Sequence, residues 1–98
     1  MRHRWLITYD ISEAKRLRRM HRLLDGHGDA VQYSVFLCDL TDVELQLLRE
    51  RVIRVMHMDE DRVMFVDLGP MAGRAQHVIE FVGRHGIVLR DRPGAVIV

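Results

Sequence analysis

An α+β sandwich, with two helices on one face of a mainly antiparallel sheet, is the architecture this sequence predicts. Two observations carry it. Short β-rich runs alternate with two segments of helical periodicity, in the order strand, helix, strand material, helix, strand. No repeat, low-complexity tract or linker interrupts that order, so residues 1–98 read as a single domain.

The first strand is Leu6 to Tyr9, and it delivers Asp10 to its C-terminal end. Ser12 is a suitable N-cap for a helix from about Glu13 to Asp25, closed by Gly26 and Gly28. Leu17, Met20 and Leu24 share one face of it, while Lys15, Arg18, Arg19 and Arg22 fall on the other. Val31 to Leu40 is extended, either as one bulged strand or as two short strands around Tyr33-Ser34. Within it Cys38, the single cysteine, reads as a small core residue and excludes an internal disulfide or a cysteine-based metal cage.

Thr41-Asp42-Val43-Glu44 has the form of a capping box, which starts a second helix at Asp42. Its apolar stripe is Leu45, Leu48, Val52, Val55 and Met56, and Asp59-Glu60-Asp61 forms an acidic exit. A strand from Arg62 to about Leu68 stops at Gly69-Pro70. Beyond it, Gln76 to Val82 alternates as a strand does, and Gly83 to Gly86 forms a loop. Ile87-Val88-Leu89, a turn at Pro93-Gly94 and Ala95-Val96-Ile97-Val98 complete the chain. The order of elements is that of the ferredoxin-like βαββαβ sandwich with an extra C-terminal strand. Such a monomer leaves one sheet face uncovered and its edges open; a homodimer that packs sheet against sheet and swaps residues 87–98 onto a partner removes both defects.

Hydrophobic content of 48% with 30% charged residues is ordinary for a soluble domain, and no apolar run reaches the roughly 20 residues of a membrane helix. Without a cleavable leader pattern, the expected location is the cytoplasm, with no membrane partner. The net charge of +1 alone does not suggest nucleic acid. Lys15 is nevertheless the only lysine among 15 basic residues, and arginine's planar fork suits bidentate phosphate contacts. Codon bias gives the same composition.

A carboxylate at a strand end beside a basic helix suggests a metal and a phosphate. Asp10 equally suits a turn-capping role. One Asp per chain is inadequate for magnesium, but two across a symmetry axis suffice. No histidine or lysine can be placed beside Asp10 as a general base. The stripe Lys15, Arg18, Arg19 and Arg22 is either a solvated face or a phosphate contact, and its lack of interleaved acids favours the second. Arg16 joins it as a candidate nucleic-acid contact. Tyr9 either positions a substrate or packs in the core. His57, Asp59, Glu60 and Asp61 match no known cation loop and read as a solvated helix exit.

Tyr9-Asp10-Ile11, Lys15-Arg16, Gly28, Val31-Gln32 and Ser34-Val35-Phe36, in that order, resemble the small CRISPR-associated adaptation proteins that partner the CRISPR integrase. The resemblance implies a ferredoxin-like homodimer in which Asp10 from both subunits shares a magnesium ion, with Tyr9 beside it as a catalytic candidate and Ser34 and Phe36 near the dimer cleft. It implies metal-dependent endonuclease activity on single-stranded RNA or double-stranded DNA, and a place as central dimer of the integrase complex. Other members serve as a non-catalytic DNA-binding scaffold. Three departures stand out: Ala30 where arginine is common, Leu37 where glutamate is common, and His27 where tyrosine is common. Two other classes share the fold. A metabolite-binding regulatory dimer would carry a glycine-rich loop where this chain has Ile11-Ser12-Glu13-Ala14, and a toxin-like ribonuclease would differ in genomic neighbourhood.

Overall fold

The computed structural model describes residues 1–84. The segments 87–89 and 95–98, with the expected pairing of 87–98 onto a partner, lie outside the described residues. Among these residues four strands and two α-helices follow in chain order: β1 (His3–Asp10), α1 (Ala14–Asp25), β2 (Asp29–Gln32), β3 (Val35–Leu40), α2 (Asp42–Val55) and β4 (Arg62–Pro70). The sheet order is β2-β3-β1-β4, with every neighbouring pair antiparallel. Two split βαβ units interlock: β3 inserts between β1 and β2, and β1 inserts between β3 and β4. This is the expected ferredoxin-like sandwich.

The stretch 31–40 resolves as two strands joined at Tyr33-Ser34. Ser34 adopts a positive φ of 60°, and its carbonyl accepts from the Tyr9 N–H at 3.2 Å, so β1 itself fixes the turn. Alternation along β1 and β3 sends Ile7, Tyr9, Phe36, Cys38 and Leu40 to the helix side, where they pack with Met20 and Leu24 of α1 and Leu45, Leu48 and Val52 of α2. Gly28 lets the end of α1 approach this layer: a Cβ there would collide with the Leu37 carbonyl and the Cys38 Sγ.

The capping box forms as expected. Glu44 N–H donates to the Thr41 hydroxyl at 3.2 Å, and Thr41 N–H donates to the Glu44 carboxylate at 2.8 Å. The cap of α1 differs. Glu13, not Ser12, caps it, its carboxylate accepting from the N–H groups of Lys15 and Arg16 at 2.9 Å each. Ser12 is drawn elsewhere, its hydroxyl donating to Asp61 at 3.3 Å. His27 helps to close the helix, its Nδ1 lying 2.9 Å from the Leu23 carbonyl.

Gln76 to Val82 is not a strand. Arg74–Gln76 is a short 3-10 turn, and the donors of Gln76 and His77 are engaged locally by the carbonyls of Gly73 and Arg74. The alternation survives only as burial, with Ile79 and Phe81 half-shielded and Val78, Glu80 and Val82 outward. The sheet face away from the helices is less bare than expected. Leu37 is buried there, and Arg4 forms a two-pronged ion pair with Asp39 at 2.9 and 3.2 Å, both side chains shielded.

Candidate nucleic-acid interface

Asp10 is the last residue of β1, exposed, and registered opposite Arg62, the first residue of β4. Among the described residues its carboxylate takes part in no hydrogen bond or ion pair, so its acceptor oxygens face solvent. Arg62, also exposed, is a cation that sequence reasoning did not place here; only sheet register brings it opposite Asp10.

The turn that follows Asp10 is clamped from a distance. Asp61, expected in a solvated exit, is instead wholly shielded. Its carboxylate accepts from Arg16 Nε at 2.7 Å, from His57 N–H at 2.8 Å and from Ser12 N–H at 3.1 Å. These donors, Arg16 first, hold the Asp61 carboxyl far below the usual carboxylate range. Arg16 also lies near Glu60 and Glu13, at 3.5 and 3.9 Å. The structure therefore spends Arg16 on joining α1 to the start of β4, apart from the outer stripe where the sequence placed it.

Lys15, Arg18, Arg19 and Arg22 are all exposed on the outer side of α1, as expected. Tyr9 is separated from Asp10. Neighbours on a strand project to opposite faces, so the Tyr9 ring lies under α1, 7% exposed, while Asp10 belongs to the other side of the sheet. The Tyr9 hydroxyl sits 3.3 Å from Nδ1 of His21, and its ring stacks near Phe36 with centroids 6.2 Å apart. Burial pushes the phenol above its ordinary value, partly offset by a hydrogen bond from Ser34, so it stays protonated. Tyr9 is thus an anchor of the helix-side layer, and the structure does not bring it to the Asp10 carboxylate.

Phe36 is fully buried, with the His21 ring edge-on to it at 5.3 Å between centroids. Within one chain it is a core side chain, and Ser34 serves the β2–β3 turn. Beside this layer, between α1 and the β2–β3 turn, lies a cleft of about 450 Å³ lined by Tyr9, Leu17, Arg18, His21, Arg22, Asp25 and Tyr33. His21 and Tyr33 carried no role in the sequence reading; the spacing of Arg18, His21 and Arg22 on one helical flank was the available signal.

Among the described residues no cluster of three carboxylate, imidazole or thiolate groups could hold a metal. The donor chemistry at Asp10, an anionic oxygen facing solvent, suits a hard cation, but one chain supplies one such group. Two chains would supply the pair that magnesium accepts.

Residues 1–72 match the family model described as CRISPR associated protein Cas2. The chain belongs to the Cas2 family. A relative in Thermodesulfovibrio yellowstonii, named CRISPR-associated endoribonuclease Cas2 2, is 43% identical over 68 residues, covering 69% of this chain and 75% of the relative. Another, CRISPR-associated endoribonuclease Cas2 3 of Synechocystis, is 34% identical over 94 residues, covering 96% and 97%. The crystal structure of Streptococcus pyogenes Cas2 at pH 6.5 superposes with a TM-score of 0.71 at 30% identity, covering 82% of this chain and 99% of that one. A hypothetical protein from Thermus thermophilus gives a TM-score of 0.74 at 29% identity, covering 89% and 98%. The Cas2 fold and the observed sheet order agree, and no helix of the described residues is long and apolar enough to cross a membrane.

Proposed function

We propose that this Cas2-family chain is an endoribonuclease of CRISPR adaptation whose hydrolytic centre forms when two copies bring their Asp10 carboxylates together around a divalent cation, magnesium by the chemistry of the donors. The observation that carries the reading is the solvent-facing Asp10 carboxylate at the end of a rigid central strand, opposite Arg62 and clamped behind by Asp61. The relatives' names as CRISPR-associated endoribonucleases support it. Each residue then has a task. Asp10 holds its half of the cation site. Arg62 offers a guanidinium to the phosphate on the same side of the sheet. Lys15, Arg18, Arg19 and Arg22 track the backbone of the bound strand. When bound, the cation supplies charge stabilisation at the scissile phosphate and acidifies a water. Duplex DNA is a second substrate consistent with the same stripe, and the integrase is the partner protein of the proposed complex.

Asp10→Asn tests the assignment, because it keeps the shape and removes the charge. On single-stranded RNA with magnesium, manganese or chelator, the wild-type protein should cleave only with metal, and the Asn variant should lose cleavage while keeping its oligomeric state and nucleic-acid affinity. Wild-type protein that shows no cleavage above background, with an Asn variant that still supports spacer insertion, establishes the scaffold role instead. Cleavage by the Asn variant at the wild-type rate removes Asp10 from the chemistry.

A further inference from the structure

The cleft between α1 and the β2–β3 turn lies on the helix side of the sheet, away from Asp10, and nothing in the proposed hydrolysis uses it. Its volume is in the range of small-ligand sites. Its floor is Leu17 and the paired Tyr9 and His21, and its helix wall carries Arg18 and Arg22, one turn apart. Tyr33 stands over it from the turn. That tyrosine is 84% exposed, an unusual position for a large aromatic ring. The ring's base is nevertheless fixed, because Ser34 is held at positive φ and its carbonyl is bonded to Tyr9 N–H. A rigidly mounted, solvent-facing ring beside two guanidinium groups combines the stacking surface and the phosphate contacts that an unpaired nucleotide needs. Asp25, about one turn beyond Arg22, disfavours phosphate at that end.

We propose that this cleft takes one unpaired nucleotide of a nucleic-acid strand, its base stacked on Tyr33 and its phosphate held by Arg18 and Arg22. The assignment rests on the reading of this chain as a nucleic-acid-binding protein, but not on its cleaving anything. In a paired duplex the base edges and faces are occupied, so the cleft selects single strands or frayed ends, whereas the outer stripe serves both. Continuity of Arg18 and Arg22 with Lys15 and Arg19 leads the strand from the stripe into the cleft.

The test compares the full chain with Tyr33→Ala and Tyr33→Trp, using a short single-stranded oligonucleotide, the same sequence as a blunt duplex, and the single strand with abasic positions. All titrations contain chelator, so a failure of hydrolysis cannot masquerade as a failure of binding. Tyr33→Ala should weaken single-strand binding on the order of tenfold, the scale of one lost stacking contact, and leave duplex binding within about twofold. Tyr33→Trp should restore it. Abasic substitution should weaken binding to the wild-type protein but not to Tyr33→Ala. Any of three results overturns the proposal: single-strand affinity unchanged in Tyr33→Ala, equal losses for single strand and duplex, or an abasic penalty that persists in the variant. If nucleic-acid binding is untouched while association with a second protein is lost, Tyr33 belongs to a protein interface and the proposal is also refuted.

Discussion

Replacing Arg18, Arg19 and Arg22 together with alanine removes three exposed guanidinium groups from α1 without touching its buried side, Met20 and Leu24. Each phosphate neutralised by a cationic side chain releases counterions and contributes about 0.9 to the slope of log affinity against log salt. If all three groups contact duplex DNA, the slope falls by about 2.7 for each chain engaged. Between about 50 and about 200 mM salt the wild-type protein should therefore lose about 40-fold more affinity than the variant. The loss should be the same for unrelated sequences, because phosphate contacts carry no base information. Fluorescence anisotropy across a salt series, with several duplex sequences, measures both quantities. The fold should survive, since alanine is the better helix former and only Arg22, in the last turn, gives up a dipole contact of about 0.3–1 kcal/mol. A melting curve checks that. An unchanged salt slope in a folded variant refutes the phosphate assignment and leaves the stripe as a solvated face.

Asp61→Asn should lower the melting temperature at neutral pH and flatten its fall in acid. Because Arg16 depresses the folded-state value of Asp61, its contribution is complete above the unfolded carboxylate value of about 4 and is lost as pH falls towards the depressed folded value, a dependence that thermal melts from neutral to strongly acidic pH would read. A variant whose acid limb matches the wild type means that the Arg16–Asp61 clamp does not contribute. Gly28→Ala should cost about 1–3 kcal/mol in urea unfolding, the usual penalty for overpacking, because the new Cβ meets the Leu37 backbone and Cys38. A smaller loss would mean that the end of α1 can lift away from β3.

The parts of this fold that are legible in the sequence are those whose cause is local. Thr41 and Glu44 bond each other across one helical turn, so their motif announces the helix they open. The stripe of α1 depends only on helical period. The α1 cap is less secure, because Ser12 and Glu13 are both chemically able to cap, and the choice is made by Asp61, distant in sequence, which takes the Ser12 hydroxyl. Asp61 itself reads as solvent-facing within Asp59-Glu60-Asp61 because nothing nearby reveals that Arg16 will cover it. Gln76 to Val82 shows the opposite error. Its alternation is real, but a strand also needs a free ladder edge reached in the right direction, and the 3-10 turn at Arg74–Gln76 takes the donors of Gln76 and His77 at its start.

Tyr9 and Asp10 show how a correct element can still mislead about a site. Adjacent residues at a strand end suggest one catalytic pair, yet the two-residue period of the same strand sends them to opposite faces. The consequence is a division of labour across a single sheet. On the helix side, Tyr9, His21 and Phe36 pack together in a layer that supports the cleft under Tyr33. On the other side, Asp10 and Arg62 face solvent, where a second copy can reach them. β1 is the rigid wall common to both, paired along its length by β3 and β4, and Asp61 locks the turn at its end. On the proposed reading, a strand bound over the helices and a reaction at the sheet's end would be held at a fixed spacing. Substrate choice and chemistry would then change independently, through residues on α1 and the Tyr33 turn for the first and through Asp10 for the second, which is what the Tyr33→Ala and Asp10→Asn variants separate.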